Sequence, residues 1–357
     1  MSEEAAAQGT SIMPDPSLPT LPSFSLALDR RRWLLGAATL LATGGRAVAA
    51  LPSTATLLVA GPSQGDTAAW ADLIAPPLAQ AFPPGIHLER ENVGGADGVT
   101  GANQFEARTA PDGGTALLLP GAAATAWLVG DPRAKFNITQ WVTALAGTTP
   151  TVLASRLPLA DLTAGRIVRV AGDPAGAALP ALLTLELMGA LPQAVPLRPG
   201  YAGADAAVLH GRDVVAQISA AVQLGLKPVL TLRERDPANG PAGRDPDFPD
   251  LPFPAERITP GLRRPLAAAL GAVVAASRLD TVLALPPLTS SGMVALWRRA
   301  CTQAAAAPAT QTAAARLGIR AEAEAAAVAS TAPLAVDAAA LLDLRQWLAQ
   351  RFGWRPS

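Results

Sequence analysis

Ile86-His87-Leu88-Glu89-Arg90-Glu91-Asn92-Val93-Gly94-Gly95-Ala96-Asp97-Gly98 alternates apolar and polar residues over its first four positions and then runs into glycine. Val99 to Thr109 follows with helical character. Alternation with period two marks a strand, and glycines between a strand and a helix form a tight connection whose bare N–H groups can approach an anion. Strand, glycine turn and helix in that order are the repeating unit of an α/β fold. The glycines do not keep the G-x-G-x-x-G spacing of a dinucleotide site. Two readings stay open: a turn that binds an anion, or glycines that let a helix press close to a sheet.

The same unit recurs outward from this stretch. Thr56 to Ala60 is a short apolar run bounded by Gly61-Pro62, and Asp66 to Phe82 has apolar residues at helical spacing. Ala116–Leu119, Val142–Ala146, Thr151–Ala154, Ile167–Ala171, Val214–Ile218 and Pro228–Leu232 read as further buried strands, which predicts an α/β fold with mostly parallel sheets. A Pro-rich stretch, 233–265, has the composition of an irregular surface loop. Leu266 to Leu285 supplies a helix or a strand pair, Gly292–Ala307 and Thr310–Leu317 read as helices, and Val336–Phe352 as a closing amphipathic helix.

The first fifty residues have a different character. Residues 1–28 are polar and without hydrophobic periodicity, which predicts disorder. Asp29-Arg30-Arg31-Arg32-Trp33 then precedes a short apolar run, Leu34–Ala42, too short to span a bilayer permanently. Gly44 to Ala50 is rich in small residues and offers an A-x-A cleavage site after Ala49. Paired arginines, an aromatic at Trp33 and the basic Arg46 near the cleavage site resemble a twin-arginine signal, so the mature chain is expected in the periplasm.

The chemistry that composition excludes is broad. Lys plus Arg and Asp plus Glu each number 28 in 357 residues, and no basic run exceeds three arginines, so no nucleic-acid partner is expected. The lone Cys301 can form neither an intramolecular disulfide nor a thiolate cluster and reads as a small buried apolar residue. His87 and His210 lack metal-ligand spacing and read as surface or capping residues away from any cleft. No G-x-S-x-G, P-loop or S-x-x-K arrangement is present. Neither a metal nor a cofactor is expected, and binding without catalysis is the better reading.

Glu91-Asn92-Val93-Gly94-Gly95-Ala96-Asp97-Gly98-Val99-Thr100-Gly101-Ala102-Asn103, followed by Ala110-Pro111-Asp112-Gly113-Gly114-Thr115-Ala116-Leu117-Leu118, resembles signatures of the substrate-binding receptors of tripartite tricarboxylate transporters, the Bug receptors. Val195-Pro196, Gly200-Tyr201, His210-Gly211-Arg212-Asp213-Val214 and Phe248-Pro249-Asp250-Leu251-Pro252 continue the likeness in order. Departures fall in the ligand loops, at Gly61 to Asp66, at Ala171 to Gly176, where the family's serine and histidine are missing, and at Ala216 to Ser219.

The resemblance implies a two-domain periplasmic-binding-protein fold of the Venus-flytrap, type II kind. Its expected division is residues 50–151 and 231–357 in domain one and 152–230 in domain two. It also implies a ligand cleft between the domains, lined by Ser63, Gln64, Gly65 and Asp66, by Gly121, Ala122 and Ala123, by Asp173, Ala175 and Gly176, and by Gln217 and Ser219. Gly65 and Gly176 are expected in positive-φ turns, and backbone N–H groups are expected to hold a small organic carboxylate. The implied partners are membrane permease subunits, with the receptor itself a monomer. A sensor that signals to a membrane histidine kinase would use the same cleft, and a secreted hydrolase using Asp66 or Asp173 would need a second acid or base.

Overall fold

The computed structural model describes residues 53–163, 165–211, 214–233, 244–258 and 264–355. The signal expected at residues 1–49, Arg212-Asp213 and residues 234–243 and 259–263 of the Pro-rich stretch lie outside the described residues. Residues 51–357 form one compact unit built on two sheets.

The first sheet comprises β1 (Thr54–Ala60), β2 (His87–Val93), β3 (Thr115–Pro120), β4 (Val142–Thr148), β10 (Leu279–Leu285) and β11 (Arg320–Ala323), in the order β11-β4-β10-β3-β1-β2. The second comprises β5 (Thr151–Ser155), β6 (Ile167–Ala171), β7 (Leu191–Val195), β8 (Ala206–His210) and β9 (Lys227–Thr231), in the order β7-β6-β8-β5-β9. Each sheet with its helices is called a lobe below.

The α/β class holds, but the sheets are mixed and not mostly parallel. β1 runs parallel to β2 and β3, and β6 to β7 and β8, where helices make the crossovers. The chain leaves the first lobe after β4 and returns as β10, which inserts antiparallel between β3 and β4. β5 is likewise antiparallel to β8 and β9. A strand entering from the other lobe has no crossover helix to impose a parallel direction, so these pairings are free to be antiparallel.

Ten helices surround the sheets among the described residues: α1 (Asp66–Ala81), α2 (Val99–Arg108), α3 (Gly121–Leu128), α4 (Leu179–Leu187), α5 (Val214–Gln223), α6 (Arg264–Arg278), α7 (Ser291–Ala306), α8 (Pro308–Leu317), α9 (Glu324–Thr331) and α10 (Ala338–Phe352). The central strands are covered on both faces, which explains their unbroken apolar runs. On β1, Leu58 and Ala60 enter one core, and Leu57 and Val59 enter another on the opposite face. The first of these cores continues into the second lobe through Leu153, Val168 and Val170, carried by α6 packing against both α3 and α4.

Val214–Ile218, expected as a strand, is the start of α5. Its apolar run is short enough to fit either element, and the longer register decides: Val214 and Ala221 are buried and Ile218 packs partly against the same small core. The glycines that open α2 serve packing. Gly98 adopts a left-handed φ of 76°, and a Cβ there would lie 2.6 Å from Pro120; one on Gly101 would lie 2.6 Å from the Cβ of Ala60. Close approach of α2 to the end of β3 requires glycine at Gly98, and close approach to β1 requires it at Gly101.

The crossing between lobes is tied by backbone and by charge. Thr149 N–H donates to Arg278 O at 2.8 Å, and Leu232 N–H donates to Thr151 O at 2.8 Å. Behind them the fully buried Asp245 accepts from the Thr231 hydroxyl and lies 3.6 Å from Arg278 and 3.8 Å from Arg233. Burial pulls the Arg278 guanidinium down to about 10 despite that carboxylate. Removing one partner from such a buried set leaves an uncompensated charge, so these residues hold the crossing strands in one arrangement.

Candidate ligand-binding cleft

In each parallel β-α unit the ligand-facing edge lies at the carboxyl ends of the strands. Here β3 ends at Pro120 and feeds α3 directly, with Pro120 as a helix cap that offers no side-chain acceptor. The first-turn N–H groups of α3 therefore have no partner inside the helix and carry its positive dipole end. The other end of α3 is well satisfied: Arg345 of α10 donates to Leu128 O at 3.1 Å and Trp127 O at 2.9 Å, and Trp354 donates to Val129 O at 3.3 Å. A cation on the carboxyl end and an open amino end reinforce the same field.

That open end meets a cavity of about 430 Å³ whose walls come from both lobes. One face of α3 forms the first wall, through Gly121, Ala122, Thr125, Ala126 and Val129. The second lobe supplies Asp173, Ala175 and Gly176 from the β6–α4 turn, with His210 from the end of β8. Val273, Ala276 and Leu279, at the α6–β10 junction, close the floor with apolar groups.

The β6–α4 turn is organised differently from the β3–α3 turn. Asp173 accepts from Ala175 N–H through its own carboxylate at 3.3 Å, and its carbonyl accepts from Gly176 N–H and Ala178 N–H, both at 3.1 Å. This turn has already satisfied the donors that an anion would use. The β2–α2 turn does the same on a smaller scale, with Val99 N–H donating to Asp97 at 3.2 Å.

The remaining charge on the walls is held in one group. Arg133 lies 2.6 Å from both Asp97 and Asp131. Its hydrogen bond to Asp131 is the main reason that carboxyl stays below the usual carboxylate range, and the same pair raises the guanidinium above its ordinary value. Among the described residues Asp173 has no cationic partner. Solvent still reaches His210, but the protein crowded around its ring disfavours the imidazolium and lowers its pKa.

The structure thus brings together Gly121, Ala122, Asp173, Ala175 and Gly176. Ala123 is fully buried behind the wall. Ser63, Gln64, Gly65 and Asp66 form the β1–α1 turn, at the strand end next to that of β3, and do not line the cavity. Gln217 and Ser219 also lie off the cavity: Gln217 donates to His210 O at 3.1 Å and Ser219 to Val215 O at 3.0 Å. Both side chains are spent on the end of β8 and on α5 itself.

Two expectations need correction. His210, read as a residue away from the cleft, stands on its wall because β8 extends one residue beyond the apolar run that marks it. Gly65 and Gly176 do not have positive φ; Gly65 sits at −86°, and the positive angles belong to Gly61 at 133° and Gly172 at 123°, immediately after β1 and β6. The glycine requirement is at the strand exit, not in the turn proper. Gly121 has its own reason: a Cβ there would lie 2.1 Å from Leu279 O and 2.8 Å from Ala276 O. Asp97, Asp131, Arg133 and Trp354 were not singled out as cleft residues in the sequence, where Asp131-Pro132-Arg133 looks like any solvated charged turn.

No family model matches the sequence, and no curated protein sequence does. Solved structures do match. A TctC solute-binding protein from Polaromonas is similar over 83% of this chain and 98% of its own, at 18% identity and a TM-score of 0.60. An R. palustris protein with adipate is similar over 85% of this chain and 98% of its own, at 15% identity and a TM-score of 0.50. The likeness to the tripartite-transporter receptors read in the sequence holds at the level of fold: two mixed α/β lobes joined by crossing strands, as in a solute-binding protein.

Proposed function

We propose that this protein is a receptor that captures a small carboxylate-bearing metabolite in the interlobe cleft and delivers it to the membrane permease subunits of a tripartite tricarboxylate-type transporter. The uncapped start of α3, opening into a cavity of about 430 Å³ walled by both lobes, carries the proposal. The fold is shared with a TctC solute-binding protein and with an R. palustris protein solved with adipate. N–H groups of Gly121 to Ala123 take the carboxylate, Ala175 and Gly176 form the facing wall, and the turn from Ser63 to Asp66 closes from the neighbouring strand end. Closure excludes water and strengthens these bonds, and binding shifts an open–closed population without making or breaking a covalent bond.

The same proposal places domain one at residues 50–151 and 231–357 and domain two at 152–230. It has the chain act as a monomer in the periplasm after twin-arginine export. Export is tested by Arg30→Lys with Arg31→Lys, which is expected to leave unprocessed precursor in the cytoplasm; normal processing would point to the general secretory route. Receptor function is tested by thermal melts with mono-, di- and tricarboxylates and amino-carboxylates. A true ligand at 100 times its Kd stabilises the fold by about 2.7 kcal/mol. A melting temperature unmoved by every compound would overturn the receptor reading.

A further inference from the structure

Ion pairs join the lobes both at the crossing strands and away from them. Asp247 lies in the segment after β9 whose Phe248 and Leu251 pack on the small core of the second lobe, and it stands 2.5 Å from Arg320 of β11. Arg320 is in register with Thr148 of β4, where the chain crosses, so this contact belongs to the hinge. A second pair stands apart from it. Glu186 of α4 is only 6% exposed, and Arg351 of α10 donates to its Oε2 through Nε at 3.2 Å, with Nη2 also 3.2 Å away.

α10 belongs to the first lobe: it packs along α6, and Arg345 and Trp354 hold the end of α3. α4 belongs to the second lobe and packs chiefly against β7. In the order β7-β6-β8-β5-β9, β7 is three strand spacings, about 14 Å, from β5, the strand that follows the crossing. A rotation of about 20° about the crossing therefore carries α4 about 5 Å past α10, further than a hydrogen bond can stretch. The hinge pair of Asp247 and Arg320 moves little under the same rotation. Arg351 and Phe352 also line one groove with Gly172, Asp173 and Pro174 of the β6–α4 turn, and Trp354 lines the cavity itself, so the Arg351–Glu186 pair is made on the cleft side.

Resting on the open–closed motion of the receptor reading above, we infer that Arg351 and Glu186 form an interlobe clasp: the pair exists only while both lobes wall the cavity, and opening breaks it. The closed state buries a carboxylate that the Arg351 guanidinium compensates. Without that guanidinium the same state holds the charge at a cost, which opening relieves by returning Glu186 to water. Removing both charges lifts the cost. Arg351 does not line the cavity, so it is a positioning residue that acts on a ligand through the placement of the lobes.

The test is the distance between two nitroxide labels, read by pulsed electron paramagnetic resonance on the full chain with no ligand added. The labels go on Ala107→Cys in α2 and Ala220→Cys in α5, both exposed and in different lobes, while the fully buried Cys301 stays unlabelled. Arg351→Gln is expected to raise the ratio of open to closed lobes about tenfold, the scale of one charge-assisted hydrogen bond. Adding Glu186→Gln to it is expected to reverse most of that shift, which a merely structural loss would not do. Asp247→Asn, at the hinge and partly exposed, is expected to change the ratio by less than about twofold. A distance distribution in Arg351→Gln identical to the wild type overturns the clasp. So does a double variant as open as Arg351→Gln alone, or an Asp247→Asn chain that opens as far. Each of these leaves the receptor reading standing, because that reading is decided by the melts with carboxylates.

Discussion

The β3–α3 and β6–α4 turns occupy equivalent places in the two lobes, each at the carboxyl end of a parallel strand, and neither helix has a side-chain cap, yet the two turns use their backbone donors differently. Pro120-Gly121-Ala122-Ala123 brings no side-chain acceptor and leaves α3 open. Gly172-Asp173-Pro174-Ala175-Gly176 supplies its own carboxylate and closes the turn on itself. A helix that follows its strand directly offers its first N–H groups to an anion, whereas a turn that places an aspartate between strand and helix presents a negative surface. Two turns of one type of fold can thus face the same cavity with opposite polarity.

The largest expected effect comes from the packing that sets the first turn. Gly121→Ala forces a methyl group against the carbonyls of Leu279 and Ala276, and is expected to lower stability by about 3 kcal/mol in chemical denaturation. A loss below about 0.5 kcal/mol would mean that α3 is not seated on the α6–β10 junction as described. Next is a variant that makes the two turns alike. Ala122→Asp puts a carboxylate in the first turn of α3 and is expected to weaken ligand binding about tenfold or more, while stabilising the fold by about 0.5 kcal/mol. Unchanged affinity would remove α3 from the proposed site.

Gly176→Ala measures how tightly the second turn is built. Its Cβ would lie 3.1 Å from a carboxylate oxygen of Asp173, a side chain with room to rotate, so the expected cost is under about 1 kcal/mol. A cost equal to that of Gly121→Ala would erase the contrast between the turns. The smallest effect concerns His210, which lines the same cavity as Asp173, Asp97, Asp131 and Arg133. Because its folded pKa is lowered from 6.5 by desolvation, the unfolded chain takes up this proton more readily. Stability is then unaffected above pH 6.5 and falls as the pH drops below it. His210→Asn is expected to flatten that part of the curve, and identical melting profiles from pH 7 to 5 would show that the ring titrates normally.

The sequence made the strands easy to find where burial on both faces left an unbroken apolar run, as at Leu57–Ala60 and Ala116–Leu119. It concealed α4, because all nine residues from Leu179 to Leu187 are buried and no polar face gives a helical period. α3 was hidden for a related reason: Gly121-Ala122-Ala123-Ala124 has neither cap nor amphipathic pattern. Those two helices frame the cavity, so the site was less legible than the fold. Gly121, Ala122, Asp173, Ala175 and Gly176 were expected there from the resemblance to the Bug receptors. The Asp97–Arg133–Asp131 group was not, because residues 36 positions apart meet only after β2, α2 and α3 have taken their places.

The hold of Arg345 and Trp354 on the carboxyl end of α3 has a consequence for how the chain reaches this structure. β3 and β4 are made early, but the strand that fills the gap between them is β10, and the side chains that finish α3 belong to residues close to the carboxyl terminus. A nascent chain that has grown as far as β9 can pair the strands of the second lobe, while the first lobe still exposes two open strand edges. Such contacts between distant parts of the sequence make folding slow and leave those edges vulnerable to association. The first lobe must therefore assemble after the chain has been made past β10, and any chain shortened before Leu279 would be an aggregation-prone fragment, not a smaller folded protein.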